Sequence, residues 1–244
     1  MSSEVWLAGV DGCRTGWVAA FWQASGADLA VRIVPTFAQI LDAPEQPAIV
    51  TVDMPIGLPE RIGPAGRGPE GAVRPLLGAR QSSVFSVPSR DAVYAADFGA
   101  ACRIAAETSD PARKMSKQLF MIAPKIREVD AVLRAAAAAA ARVFEVHPEV
   151  GFWRLNGERA LDEPKKVKSR PHEPGLALRR RLLVEAGVAE DVACSSPPAG
   201  AAADDLIDAL ACAVIARRIH EGRAQPFPLH HGRDAFGLPI AIWA

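Results

Sequence analysis

The run Ala48-Ile49-Val50-Thr51-Val52 constrains the fold most. It is apolar without alternation, and a strand that is apolar on both sides must be covered on both sides, which is the habit of a central parallel strand flanked by helices. It ends abruptly in Asp53-Met54-Pro55-Ile56-Gly57. Parallel neighbours of such a strand need crossovers, so the chain is expected to be an α/β protein and not a β-sandwich or a helical bundle.

The flanking segments supply the partners. Residues 5–10 (Val-Trp-Leu-Ala-Gly-Val), 17–22 and 29–34 are short runs rich in Val, Trp, Phe and Ile. Gly12 and Gly16 bracket the first connection, and Ser25-Gly26-Ala27-Asp28 is a turn signal between the second and third runs. An antiparallel meander is expected. A short helix near 37–43 then leads into the central strand, and 57–90 reads as a long loop holding a helical piece near 70–78. Residues 90–142 read as helical through the tract Ala135 to Ala141, because Ala has the best helix propensity. Val143-Phe144-Glu145-Val146-His147 reads as a further strand stopped by Pro148, residues 156–174 as an exposed loop, and 175–187 and 201–221 as helices. Gly237 to Trp243 is a candidate terminal strand.

The resulting order is a ribonuclease-H-like three-layer α/β fold. Its mixed five-stranded sheet has β1-β2-β3 as an antiparallel meander, the next two strands parallel to β1, and helices on both faces. With 244 residues and no internal repeat, one domain spanning 1–244 is the simplest organisation, with an insertion at about 57–142.

In open α/β sheets ligands gather beyond the carboxyl ends of the parallel strands. Asp11, Asp53 and Glu145 fall at such ends. The last helix adds Asp204, Asp205 and Asp208, where Asp208 shares a face with Asp204 at i, i+4 or with Asp205 at i, i+3. Hard oxygen donors converging on one point suit two Mg²⁺ or Mn²⁺ ions that activate a water and stabilise the leaving oxygen of a phosphodiester, with a small-molecule phosphotransferase or phosphohydrolase on a related fold, or a non-catalytic binding protein, as the alternatives. The metal set expected is therefore Asp11, Asp53, Glu145, Asp204, Asp205 and Asp208. His147, in Glu145-Val-His147-Pro-Glu149, joins the catalytic set as a proton carrier. Each residue also has a plain alternative: Asp11 and Asp53 as turn residues, Asp204 as a helix cap, and His147 as a hydrogen-bonded residue beside a proline turn.

Substrate contacts are expected from Arg14 and Lys125 and from the hydroxyl-rich stretch after Arg80, namely Ser82, Ser83, Ser86, Ser89 and Arg90. Lys165, Lys166 and Lys168 are further candidates for phosphate contact. The formal net charge of +0 excludes a global positive field, so nucleic acid would be held only through local basic patches. Four scattered cysteines argue against a zinc knuckle and a secreted disulfide framework, and a cytoplasmic location is expected. No segment has the length and polarity of a membrane span or a signal peptide. These patterns do not fix the oligomeric state, and a homodimer is compatible with them. Phosphate-loop, dinucleotide, zincin and serine-hydrolase motifs do not occur in the sequence.

Five blocks together resemble a known family: Gly9-Val-Asp-Gly-Cys-Arg14 with Gly16-Trp17, Val52-Asp-Met-Pro-Ile-Gly57, Ser82-Ser-Val-Phe-Ser86 with Pro88-Ser-Arg90, Phe144-Glu-Val-His-Pro-Glu149 and Asp204-Asp-Leu-Ile-Asp-Ala209. The resemblance, over about residues 5 to 243, is to domain-of-unknown-function family 429, regarded as predicted ribonuclease-H-like nucleases. It implies a metal-dependent phosphodiesterase with Asp11, Asp53, Glu145 and the aspartates of the last helix at its site. Between 60 and 78 the chain departs from the family pattern, with Arg67-Gly-Pro-Glu70 where an Arg-x-Cys-Asp stretch is usual.

Overall fold

The computed structural model describes residues 4–244. Strands run over Trp6–Cys13 (β1), Gly16–Gln23 (β2), Leu29–Val34 (β3), Ile49–Val52 (β4), Val143–Glu145 (β5), Lys166–Val167 (β6), Arg170–Pro171 (β7), Pro226–Phe227 (β8) and Ile242–Trp243 (β9). Helices run over Phe37–Leu41 (α1), Pro69–Val73 (α2), Arg90–Val93 (α3), Phe98–Glu107 (α4), Lys117–Ala135 (α5), Ala137–Ala140 (α6), Pro148–Leu155 (α7), Glu173–Glu185 (α8), Glu190–Ala193 (α9) and Ala203–His220 (α10), with a 3₁₀ segment at Arg74–Ser83.

The main sheet has the order β3-β2-β1-β4-β5-β9-β8, with β1, β2 and β3 antiparallel to one another and β4 and β5 parallel to β1. The five-strand arrangement expected from the sequence is thus extended by β9 and β8 at one edge. Those two strands hold only two residues each, too few to show a period-two pattern, and β8 begins with a proline that suits an edge.

Alternation along β1 sorts its side chains between two helical layers. Ala8 and Val10 face α3, α4 and α5 in one buried cluster that also takes Val50 and Val52 of β4. The opposite face meets α7, α8 and α10. Gly9 is the key to that second layer, because a β-carbon there would stand 1.9 Å from the Ala213 nitrogen and 2.3 Å from the Ala209 carbonyl oxygen. Only glycine lets the backbone of α10 lie against β1, and the small residues Ala209 and Ala213 complete the close approach. The Thr51 hydroxyl donates to the Cys212 carbonyl at 2.7 Å and fixes the same helix over β4.

Two expectations are corrected. Pro148 does not merely end a strand. It occupies the first position of α7, where its missing N–H removes nothing from the helix ladder. The alanine tract is also not one helix, since Ala136 is extended (φ −141°, ψ 100°) and separates α5 from α6. Intrinsic propensity is uniform along such a run, so it cannot place that break.

Candidate metal centre

The β1–β4 register builds the centre. Val10 pairs with Val52, and the Asp53 N–H donates to the Val10 carbonyl at 2.9 Å, so Asp11 and Asp53 leave adjacent parallel strands side by side. They point to the α10 face, as Gly9 and Thr51 do, because each lies two residues further along its strand. Asp208, on the second turn of α10, closes the triangle. One carboxylate oxygen from each of Asp11, Asp53 and Asp208 lies within 4.8 Å of the other two.

Three acids at this separation strain one another. Burial and then the charges of Asp53, Asp208 and Asp205 hold Asp11 well above the ordinary carboxylate range. Burial also pushes Asp53 up to about 7, against the opposing pull of Lys165. Asp208 rises to about 7 for the same reason, with Asp53 adding to the effect. The Lys165 ammonium is ion-paired with Asp208 and kept charged by Asp208, Glu149 and Asp53. Gly175 of α8 allows this placement, because a β-carbon there would stand 1.9 Å from the Pro164 carbonyl oxygen.

These residues suit a hard divalent cation. All three donors are carboxylate oxygens, and Asp208 Oδ1 is buried with no hydrogen-bond donor among the described residues. One lysine cannot neutralise three clustered aspartates.

The other predicted carboxylates have partners of their own. Glu145 receives two hydrogen bonds from Arg67, at 2.7 and 3.1 Å, and the Ile56 N–H at 2.7 Å. Burial pushes Glu145 to about 7 against the pull of Arg67. Asp204 pairs with the Lys166 ammonium at 2.6 Å. Asp205 accepts the Ala202 N–H at 2.8 Å and so ties the first turn of α10. All three nevertheless line the same half-enclosed cavity of about 410 Å³, whose wall also carries Phe85 and His147.

His147 Nε2 lies 3.3 Å from the Ser83 carbonyl oxygen, a contact that requires a proton on Nε2. Its Nδ1 is buried with no partner among the described residues, and burial lowers the imidazole pKa. The ring is therefore neutral near pH 7, with a free lone pair.

Among the predicted substrate contacts, Ser83, Lys165 and Lys166 line the cavity. Arg90 is held by Asp130 and Asp234, and the Ser89 hydroxyl is shared with Thr108 at 2.7 Å. Lys125 donates to the Gly16 carbonyl at 2.6 Å and lies over the Trp17 ring. The Ser86 hydroxyl accepts from Arg74. Arg14 and Ser82 are exposed, and Arg80 is half-buried.

Two buried arginines and the ion pairs they make escape the sequence reading. Arg67 reaches Glu145 from 78 positions away, and also bonds Glu70 at 2.7 Å and the Ile56 and Gly57 carbonyls. Arg179, fully buried in α8, donates to both oxygens of Glu149 at 2.8 and 2.7 Å and to the Glu163 and Gly175 carbonyls. Among the described residues no helix is long and apolar enough to cross a membrane.

No curated protein and no solved structure matches the chain. Residues 9–232 match the model of a family described as a protein of unknown function, DUF429, and the chain belongs to that family.

Proposed function

We propose that this protein is a divalent-metal-dependent nuclease that hydrolyses phosphodiester bonds with Mg²⁺ or Mn²⁺ held by Asp11, Asp53 and Asp208. The observation that carries this reading is the convergence of those carboxylates at the strand ends, with one Asp208 oxygen lacking any partner among the described residues. The likeness to predicted ribonuclease-H-like nucleases supports it. A cation there would supply Lewis-acid activation of water and neutralise charge developing on a phosphoryl oxygen.

The protein's own groups have separable tasks. Lys165 and Lys166 bring positive charge to the rim, where a phosphate oxygen would approach. His147 Nδ1 is a neutral acceptor for a proton. Arg67 and Arg179 hold Glu145 and Glu149 in place and so fix the wall from which His147 projects. A small phosphate ester is a second reading, favoured by the 410 Å³ cavity, which matches a nucleotide better than a duplex.

The test is cleavage of labelled single-stranded, duplex, hybrid and branched nucleic acids, alongside nucleotide esters, with Mg²⁺ or Mn²⁺. Asp11→Asn, Asp53→Asn and Asp208→Asn are each expected to lower turnover by at least about a hundredfold, since even residues supporting a ligand alter activity by about 10–100-fold. All three should also abolish the melting shift caused by Mn²⁺; Asp11→Asn, which removes repulsion from Asp53 and Asp208, is expected to raise the melting temperature of the metal-free protein, whereas Asp208→Asn, which strips Lys165 of its partner, is expected to lower it. No hydrolysis of any substrate, or full activity in Asp11→Asn, overturns the reading.

Metal uptake should depend on pH with a definite sign. Asp53 and Asp208 hold protons below about pH 7, and these must leave before a cation binds. Mn²⁺ affinity, measured calorimetrically, is therefore expected to rise with pH up to about pH 7, by at most roughly tenfold per pH unit for each proton displaced, and to level off above it. Affinity that is already flat below about pH 7 would show that the two groups are ionised throughout.

A further inference from the structure

The far end of α10 carries a different chemistry. Arg217 and Arg218 lie in its last turn, about 14 Å along the helix axis from Asp208 at 1.5 Å per residue. With Arg154 of α7 and Arg223 beyond the helix, they line a cavity of about 390 Å³ floored by Leu182 and Val214. We propose that this cavity is a binding site for a small phosphate-class dianion, separate from the aspartate centre.

The donors left over carry the argument. Arg154 uses Nη1 on Glu158, but its Nε and Nη2 are buried and have no acceptor among the described residues. Its guanidinium is packed by the Trp153 and Phe227 rings, 5.0 and 5.7 Å from their centroids, so its position is fixed from the side. Arg218 gives Nη2 to the Arg223 carbonyl at 3.2 Å, while its buried Nε also lacks an acceptor. A buried polar hydrogen without a partner costs roughly 1–3 kcal/mol, and three such nitrogens belong to two arginines that both line this cavity, so an acceptor with several oxygens seated between their guanidinium groups would relieve the cost.

The local charges agree. Glu221 is taken up by Arg217 at 3.0 Å and by Arg223, and Glu185, the one carboxylate on the cavity wall, is exposed and pairs with Arg181 at 3.5 Å. Burial lowers the Arg218 pKa, and the neighbouring Arg223 and Arg154 add to the shift against the opposing charges of Glu221 and Glu158. Cations at a helix carboxyl end are favoured in any case, which explains why arginines gather there. It does not explain why Arg154 Nε and Nη2 and Arg218 Nε are buried with no acceptor among the described residues. A tetrahedral phosphate takes forked hydrogen bonds from guanidinium groups and supplies the missing acceptors.

The two sources of such a group are inorganic phosphate and the terminal phosphate of a nucleoside monophosphate. Each is titrated, at constant ionic strength with chloride as control and in the presence of a chelator, and binding is followed by calorimetry and by melting temperature. Saturable binding of one or both is expected, weakened at least tenfold in Arg154→Gln/Arg218→Gln and unchanged in Lys165→Met/Lys166→Gln. In the unmodified protein, phosphate should also protect Arg154 and Arg218 from phenylglyoxal, read by peptide mass spectrometry, so the proposal does not depend on folding of the arginine variant. It is overturned if neither ligand acts beyond the chloride control, if binding is lost with the lysines and kept without the arginines, or if phosphate leaves both arginines equally reactive.

Discussion

Gly9→Ala is expected to destabilise the protein by more than about 3 kcal/mol, because the added methyl would enter the backbone of α10 and not a flexible side chain. At this chain length such a loss lowers the melting temperature by roughly 10 °C. Overpacking against a side chain is relieved by a rotamer change, whereas here the Ala213 nitrogen 1.9 Å away moves only if the helix moves. Displacing the helix would carry Asp208 away from Asp11 and Asp53, so any folded Gly9→Ala protein should also lose its melting response to Mn²⁺. Thermal unfolding with and without Mn²⁺ checks both parts. A variant as stable as the parent would mean that α10 sits further from β1 than described.

Arg67→Met should be comparably damaging for an electrostatic reason. Arg67 is almost fully buried, between the equally buried Glu70 and Glu145, and removing one member of a buried pair typically costs about 3–5 kcal/mol because it leaves charge without compensation. The pH dependence follows from the sign of the effect. Without the guanidinium, burial keeps Glu145 protonated in the folded state to a higher pH than in the unfolded chain, so the stabilising influence of that proton disappears as pH rises through the folded pKa. The deficit of Arg67→Met, measured by chemical denaturation, is therefore expected to be larger near pH 8 than near pH 5. Restoring neutrality with Glu70→Gln and Glu145→Gln should recover much of it. An equal deficit at both pH values would assign the loss to packing alone.

What could be read beforehand divides along physical lines. The meander, the central strand and the Asp11–Asp53 adjacency were legible because alternation fixes which side chains share a face, and the Asp-Gly and Asp-Met-Pro breaks mark the strand ends. Asp208 was legible as a carboxylate within an apolar helix. Its separation from Asp204 and Asp205 was not, since helix spacing alone allowed either neighbour to join it, and the outcome depended on Lys166 and on the Ala202 N–H. Glu145 looked like a ligand because its claimant, Arg67, lies 78 positions away in an irregular segment. The serine-rich stretch resembled a substrate loop, but its groups are taken by Thr108, Arg74, Asp130 and Asp234, which periodicity cannot bring near.

The dependence of the centre on α10 also orders events in time. Asp11 and Asp53 leave the ribosome early, but the third corner is encoded almost two hundred residues after the first. A growing chain therefore holds only two of the three carboxylates until α10 emerges and docks against Gly9. Whatever chemistry the centre performs is withheld during synthesis, and it begins only when the last long helix seals the sheet.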